Sequence, residues 1–285
     1  MVEECHQTFN PTLRSKLLIL FAAAIATLVA CEVSFALLGI LNPSAPIFPG
    51  ERVSVQGDSV DPVIGWKMPL STVIVGKTAT YRSNSQGFRS SRNFDAAHDG
   101  RRIVFLGDSF TFGWGVEEKE TFAALLESRF ENTRSYNFGI RGFGVDQMWM
   151  TLRHYGLSVK PDLVILSFIL EDLERGLSAY RWRSDWMRKP AFRIVERQLV
   201  PLTEKDRPNS LWRFVQLRSR LLELWRRVEW HLSIRYAIGY PWSLNKAIFA
   251  AIDAECRAQG VPLIVVYIPT ENGVRNVPMI EREFR

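Results

Sequence analysis

The chain has 285 residues, 47% of them hydrophobic, with 36 lysines and arginines against 30 acidic residues and three cysteines. This apolar content excludes disordered, collagen-like and fibrous chains, and the length allows one large domain or two small ones. Cys5, Cys31 and Cys256 are too few and too scattered for a disulfide framework, and no metal-ligand spacing appears, so neither metal nor cofactor is expected.

Between Leu17 and Leu41 the one charge is Glu32. As a helix this run spans about 37 Å, more than the ~30 Å hydrocarbon core of a bilayer. Arg14 and Lys16 stand just before it and no dense basic cluster follows. The positive-inside rule therefore predicts a cytoplasmic tail over 1–16, a transmembrane anchor over 17–41 and an extracytoplasmic remainder. The alternative is a lipoprotein signal, with Leu28-Val29-Ala30-Cys31 as lipobox and Cys31 lipidated. The apolar run continuing from Val33 to Leu41 favours an uncleaved anchor, and the lack of a polar face argues against a buried soluble helix.

Residues 42–101 read as a Pro- and Ser-rich linker followed by an irregular lead-in with short strands. Ile103 to Leu106 is wholly apolar, as a strand buried on both faces should be. Thr121–Phe130 has a helical pattern, Ser135–Phe138 is a second strand, and Asp146–Leu157 is a second helix. Leu163–Phe168 is a third strand, Ser243–Gln259 a helix and Pro262–Ile268 a fourth strand. Strands alternating with helices predict a parallel sheet covered on both faces, within a domain over 102–285.

An insert at 174–236 interrupts that alternation. It carries a local charge of +8, leaving −2 for the rest of the chain, and holds Trp182, Trp186, Trp212, Trp225 and Trp230. Phe214, Leu217, Leu221, Leu224 and Val228 recur in it at helical spacing. One reading is contact with anionic lipid headgroups or an acidic polysaccharide. The other is a helical cap whose apolar stripe packs on the sheet.

The string Gly107-Asp108-Ser109-Phe110 closes the first strand. A serine there points into the crevice where α/β proteins bind ligands, Gly107 permits a tight turn, and helix N-terminal amides stabilise negative charge. Asn137 to Gly142 follows the second strand, and Leu166 to Asp172 ends the third, so all three segments share one sheet edge.

At these blocks the chain resembles the SGNH (GDSL-type) hydrolase family. The resemblance rests on Gly107 to Val116, Asn137 to Gly144 and Pro161 to Leu166, with Asn84 to Arg89 similar to a segment of membrane-anchored bacterial members. It implies a flavodoxin-like three-layer fold, here preceded by one transmembrane helix and carrying a helical insert. It also implies serine-based ester chemistry at a bacterial inner membrane, with the domain in the periplasm. Ser109 would be the nucleophile, and the N–H groups of Ser109 and Gly142 would hold the oxyanion. Gly107, Asp108, Asn137 and Asp172 complete the blocks.

Two departures stand out. Glu171 occupies the family's third-block asparagine, and a carboxylate repels an oxyanion unless it is protonated, which the nearby Arg175 opposes. No Asp-x-x-His follows the fourth strand, so the chain reads as truncated or degenerate. Asp95-Ala96-Ala97-His98 lies upstream of the first core strand and reads as coincidence; His6, His154 and His231 have no partner signal. The expected activity is a membrane-anchored esterase or O-acyltransferase acting on an acylated glycan or lipid ester, impaired in this chain. The rival is an inactive envelope protein that binds without turnover. Nucleic acid is not an expected partner.

Overall fold

The structure is a computed structural model and describes residues 11–38, 57–181, 187–206, 219–270 and 280. The tail up to residue 10, the linker, Trp182, Trp186, Trp212, Phe214, Leu217 and nearly all of 271–285 lie outside the described residues. The chain divides into two compact units, Met1–Glu51 with Pro208–Glu229 and Arg52–Arg207 with Trp230–Arg285.

In the first unit, α1 (Pro11–Leu37) is a continuous helix, with Pro11 at its first position, where a missing N–H costs nothing. Ser15–Leu37 is apolar and long enough to cross a membrane, and none of it is buried in the protein. The helix takes in Pro11–Lys16 ahead of the apolar run that begins at Leu17, and residues 39–41 of that run lie outside the described residues.

In the second unit, two antiparallel hairpins precede the sheet: β1 (Ser59–Asp61) with β2 (Gly65–Lys67), and β3 (Val73–Val75) with β4 (Thr80–Arg82). They are short but not peripheral. Ile64 and Trp66 are fully buried in the main core, and Tyr81 packs with Met68 and Phe112 in a smaller one.

The central sheet contains β5 (Arg101–Leu106), β6 (Thr133–Asn137), β7 (Leu163–Phe168) and β10 (Leu263–Tyr267), all parallel, in the order β6-β5-β7-β10. Alternation along β5 sends Val104 and Leu106 to one face and Ile103 and Phe105 to the other. Ile103 and Phe105 pack on Ala123 of α3 (Phe122–Arg129). Val104 and Leu106 join the core beneath α4 (Val145–Thr151) and α7 (Gly239–Ala258), with Met148, Ile248 and Ile252. Right-handed crossovers explain the two faces: the chain steps from β5 to β6 in one direction and from β6 past β5 to β7 in the other. Helices therefore cover both sides, and the reversal leaves a crevice at the carboxyl ends of β5 and β7.

After α4 the helical path continues as one π turn (Leu152–Gly156) and one 3₁₀ turn (Leu157–Val159), so the long second helix read from the sequence is regular only over its first half. The insert contains a hairpin that its charge had masked, β8 (Phe192–Val195) with β9 (Gln198–Pro201), turning at Glu196 and Arg197, both with positive φ. Its described helix is α6 (Arg220–Tyr236).

Candidate active site

Ser109 opens α2 (Ser109–Phe112), a single helical turn directly after β5. Asp108 caps it, its carboxylate accepting from the Phe110 N–H at 2.9 Å. Gly107 is required here: a Cβ would meet Thr111 Oγ1 at 1.9 Å and the Ser167 carbonyl of the neighbouring strand at 2.8 Å. Gly113 ends the turn with φ 81°. One turn sums too few peptide dipoles to act as a helix terminus, so the expected stabilisation of negative charge would fall to individual N–H groups.

Two arms hold this turn. Arg89, nearly buried, donates through Nη1 to the Phe112 and Gly113 carbonyls at 2.9 and 2.5 Å, and through Nη2 to Val116 O at 2.6 Å. Asn84 shapes the loop that carries it, its Oδ1 accepting from the N–H groups of Gln86 and Phe88, both at 3.0 Å. From the other side, Asn137 Nδ2 donates to Thr111 O at 2.8 Å, and its Oδ1 accepts from the Gly139 N–H at 3.0 Å. Asn137 thus ties the second block to the serine turn.

The loop after β6 lies against that turn. Ile140 N–H donates to Gly107 O at 3.1 Å, and a Cβ on Gly139 would sit 2.4 Å from Phe112 N. Gly142 adopts φ +74°. The Trp66 indole donates to the Arg141 carbonyl at 2.9 Å, immediately before Gly142. The Arg141 guanidinium pairs with Asp58, which also holds Arg181 at 2.8 Å. The lead-in segment is therefore what fixes the conformation of the second block.

The third block arrives through α5 (Leu170–Arg175). Asp172 is fully buried, accepts from the Ile169 N–H at 2.9 Å and binds Arg175 Nη1 at 2.5 Å. The same Nη1 lies 3.3 Å from Asp108 Oδ2, and Ser109 Oγ donates to that oxygen at 3.3 Å. Ser109, Asp108, Arg175 and Asp172 form one continuous chain. Burial, reinforced by the Asp108 charge, pushes the Asp172 carboxyl well above the ordinary range against the pull of Arg175.

Glu171 is directed elsewhere. Its Oε1 accepts from Thr270 Oγ1 at 3.5 Å, and its charge adds to burial in raising the Tyr267 hydroxyl to about 12. Arg175, expected to act on Glu171, spans Asp108 and Asp172. His98 and Asp95 precede β5, at the opposite end of a strand roughly 20 Å long, so that pair and Ser109 are kept apart. His154 and His231 are both exposed. No group of three His, Cys, Asp or Glu side chains that could hold a metal occurs among the described residues.

The sequence assigns no site role to Trp66 or Asp58, and it places Arg175 beside Glu171 without its i,i+3 partner Asp172 on the same helix, a spacing that could have signalled the pair. Beside Ser109, Phe110 and Trp114 are exposed, and Trp114 stacks on Tyr81 at 4.9 Å with Arg141 over its other neighbourhood at 4.8 Å.

No protein-family model matches the chain, and no curated protein matches it. Among solved structures it is similar to "TesA" (TM-score 0.35, 16% identity, covering 64% of this chain and 69% of that one). It is also similar to AlinE4, described as an SGNH-hydrolase family esterase (TM-score 0.28, 18% identity, 65% and 95% covered). A third is a lipase/acylhydrolase from Enterococcus faecalis (TM-score 0.28, 16% identity, 65% and 95% covered). The AlinE4 description names the SGNH-hydrolase family, whose motif blocks the sequence resembles.

Proposed function

We propose that the chain is a membrane-tethered SGNH-type serine hydrolase or acyltransferase of the bacterial envelope, acting slowly on an ester-linked acyl group. The observation that carries this reading is the position of Ser109, half-buried at the carboxyl end of β5 where the strand order reverses. Ser109 Oγ would attack the acyl carbonyl, forming the Oγ–C bond while its proton passes to Asp108. Collapse of the adduct would break the ester C–O bond as Asp108 returns that proton to the leaving alcohol, and water or an acceptor alcohol would then take the acyl group from Ser109. The N–H groups of Ser109 and Gly142 are the candidate oxyanion donors; one such donor typically contributes about 2.7–4 kcal/mol.

The Asp108 carboxylate already accepts from the Phe110 N–H and pairs with Arg175, so it has little capacity left to take the serine proton, which is the physical reason for slow turnover. The exposed Phe110 and Trp114 support an acylated glycan or lipid ester as substrate, since aromatic faces suit both sugar rings and acyl chains. Arg14 and Lys16, in the first turns of α1 and ahead of its apolar run, support a periplasmic domain. The unbroken helix through Cys31 to Leu37 supports an uncleaved anchor over lipidation at Cys31.

The test is hydrolysis of p-nitrophenyl acetate by the full chain and by Ser109→Ala, with intact mass spectrometry for an acyl adduct. Release above the variant's background, with an adduct that Ser109→Ala lacks, is expected. Equal rates and no adduct would leave the second reading, a binding domain without turnover. Glu171 is the observation that favours that second reading, because it faces Thr270 where the family places an oxyanion-binding asparagine.

A further inference from the structure

Helix α6 has two apolar faces, and the described residues cover only one of them. Trp230, Ser233 and Ile234 are buried, as is the carboxylate of Glu223, which Arg226 and Arg227 neutralise. On the opposite side Leu224, Trp225, Val228, Leu232 and Tyr236 are all exposed, Trp225 by 66%. At 100° per residue these five fall within roughly 120°, the width of an apolar stripe made to be buried. Arg220, Arg227 and His231 border the stripe on one side, Arg235 falls within it near that side, and Glu229 borders the other side.

What faces the stripe is indicated by the start of the helix. Glu32, the lone charge of the apolar run in α1, accepts from the N–H groups of Arg220 and Leu221 at 2.5 and 3.1 Å and from Ser219 Oγ at 3.2 Å. A carboxylate in a membrane helix costs about 2.5–3.5 kcal/mol at mid-bilayer unless it is satisfied, and here the first turn of α6 satisfies it. Glu32 lies five residues before Leu37, about 7.5 Å along the axis from the end of α1. The first turn of α6 is thereby pinned near the outer boundary of the span.

We propose that α6 is an interfacial helix whose Leu224, Trp225, Val228 and Leu232 stripe seats in the headgroup boundary of anionic phospholipid, in the bilayer crossed by α1. The arginines at its edge meet lipid phosphates, while the apolar side chains reach the acyl boundary. The inference rests on α1 being a membrane anchor and is independent of the ester chemistry.

Brominated phospholipids quench tryptophans that reach the acyl boundary, and α1 itself contains no tryptophan. The full chain and Trp225→Phe are reconstituted in phosphatidylglycerol nanodiscs with and without brominated chains. The emission assigned to Trp225 by difference is expected to be quenched at least about twofold, and less in phosphatidylcholine. Leu224→Gln with Val228→Gln, checked for folding by circular dichroism, should abolish the effect. Incorporation without quenching of Trp225 would overturn the interfacial helix while leaving the anchor intact, whereas failure to incorporate would overturn both. Shielding of Trp225 by protein concentration, or by a soluble acidic polysaccharide in place of lipid, would also overturn it.

Discussion

Replacing Arg175 by methionine tests whether one guanidinium holds the candidate site together. Arg175 is about nine-tenths buried and spans two carboxylates, Asp172 at 2.5 Å and Asp108 at 3.3 Å, each exposed by 1% or less. Its removal leaves two buried acids facing each other, and breaking a buried pair in this way costs about 3–5 kcal/mol. For a domain of this size that corresponds to a fall in Tm of roughly 10 °C.

The cost must depend on pH. Asp172 has a folded-state pKa raised by burial and by Asp108, so the folded protein holds that proton more tightly than the unfolded chain does. Its contribution is present at acidic pH and is lost as pH rises from the unfolded value through the folded one. Without Arg175 the pKa rises further, so the deficit of the variant should be largest at pH 8 and shrink towards pH 5. Arg175→Met combined with Asp172→Asn should recover about 1–3 kcal/mol of the loss, since one carboxylate is then gone. Thermal melts of the full chain in detergent at both pH values measure all three proteins. An equal deficit at pH 5 and pH 8, with no recovery in the double variant, would refute the shared-guanidinium argument.

Lys189 and Asp146 form a second buried pair, joining the insert to the helix that follows the Gly142 loop. Burial pushes Asp146 up to about 6 although Lys189 pulls it down, so Lys189→Met should destabilise by about 3–5 kcal/mol at pH 8 and by less below pH 6, read as the Tm gap from wild type. Two glycine substitutions should separate crowding from strain. Gly107→Ala puts a Cβ 1.9 Å from Thr111 Oγ1 and should cost about 3 kcal/mol or more, lowering soluble yield. Gly142→Ala meets nothing nearer than 4.0 Å, so its cost is the positive φ alone, about 1–2 kcal/mol by denaturant titration.

Leu163–Phe168 could be placed because an apolar run that opens after Pro161-Asp162 reads as a buried strand. The helix after Asp146 could not, because apolar periodicity persists across the π and 3₁₀ turns and does not report the hydrogen-bond ladder. β8 and β9 were hidden by arginine-rich composition, and their turn uses Glu196 and Arg197 where glycine or asparagine would have signalled it.

The same division runs through the site. The sequence by itself determined that the chain opens with one long apolar run and that Ser109 follows a buried strand, since both depend on local composition and turn chemistry. Which strand lies beside which, and so whether Ser109 meets a crevice, was decided by the packed sheet and its order β6-β5-β7-β10. The sequence could not show that Arg175 would span Asp108 and Asp172, or that Trp66 would reach Arg141. Nor could it show that Glu32 would cap a helix 188 residues away. Those partners are distant in the chain, and each is chosen by burial: a polar group removed from water must find a partner, and only the packed fold decides which one is within reach.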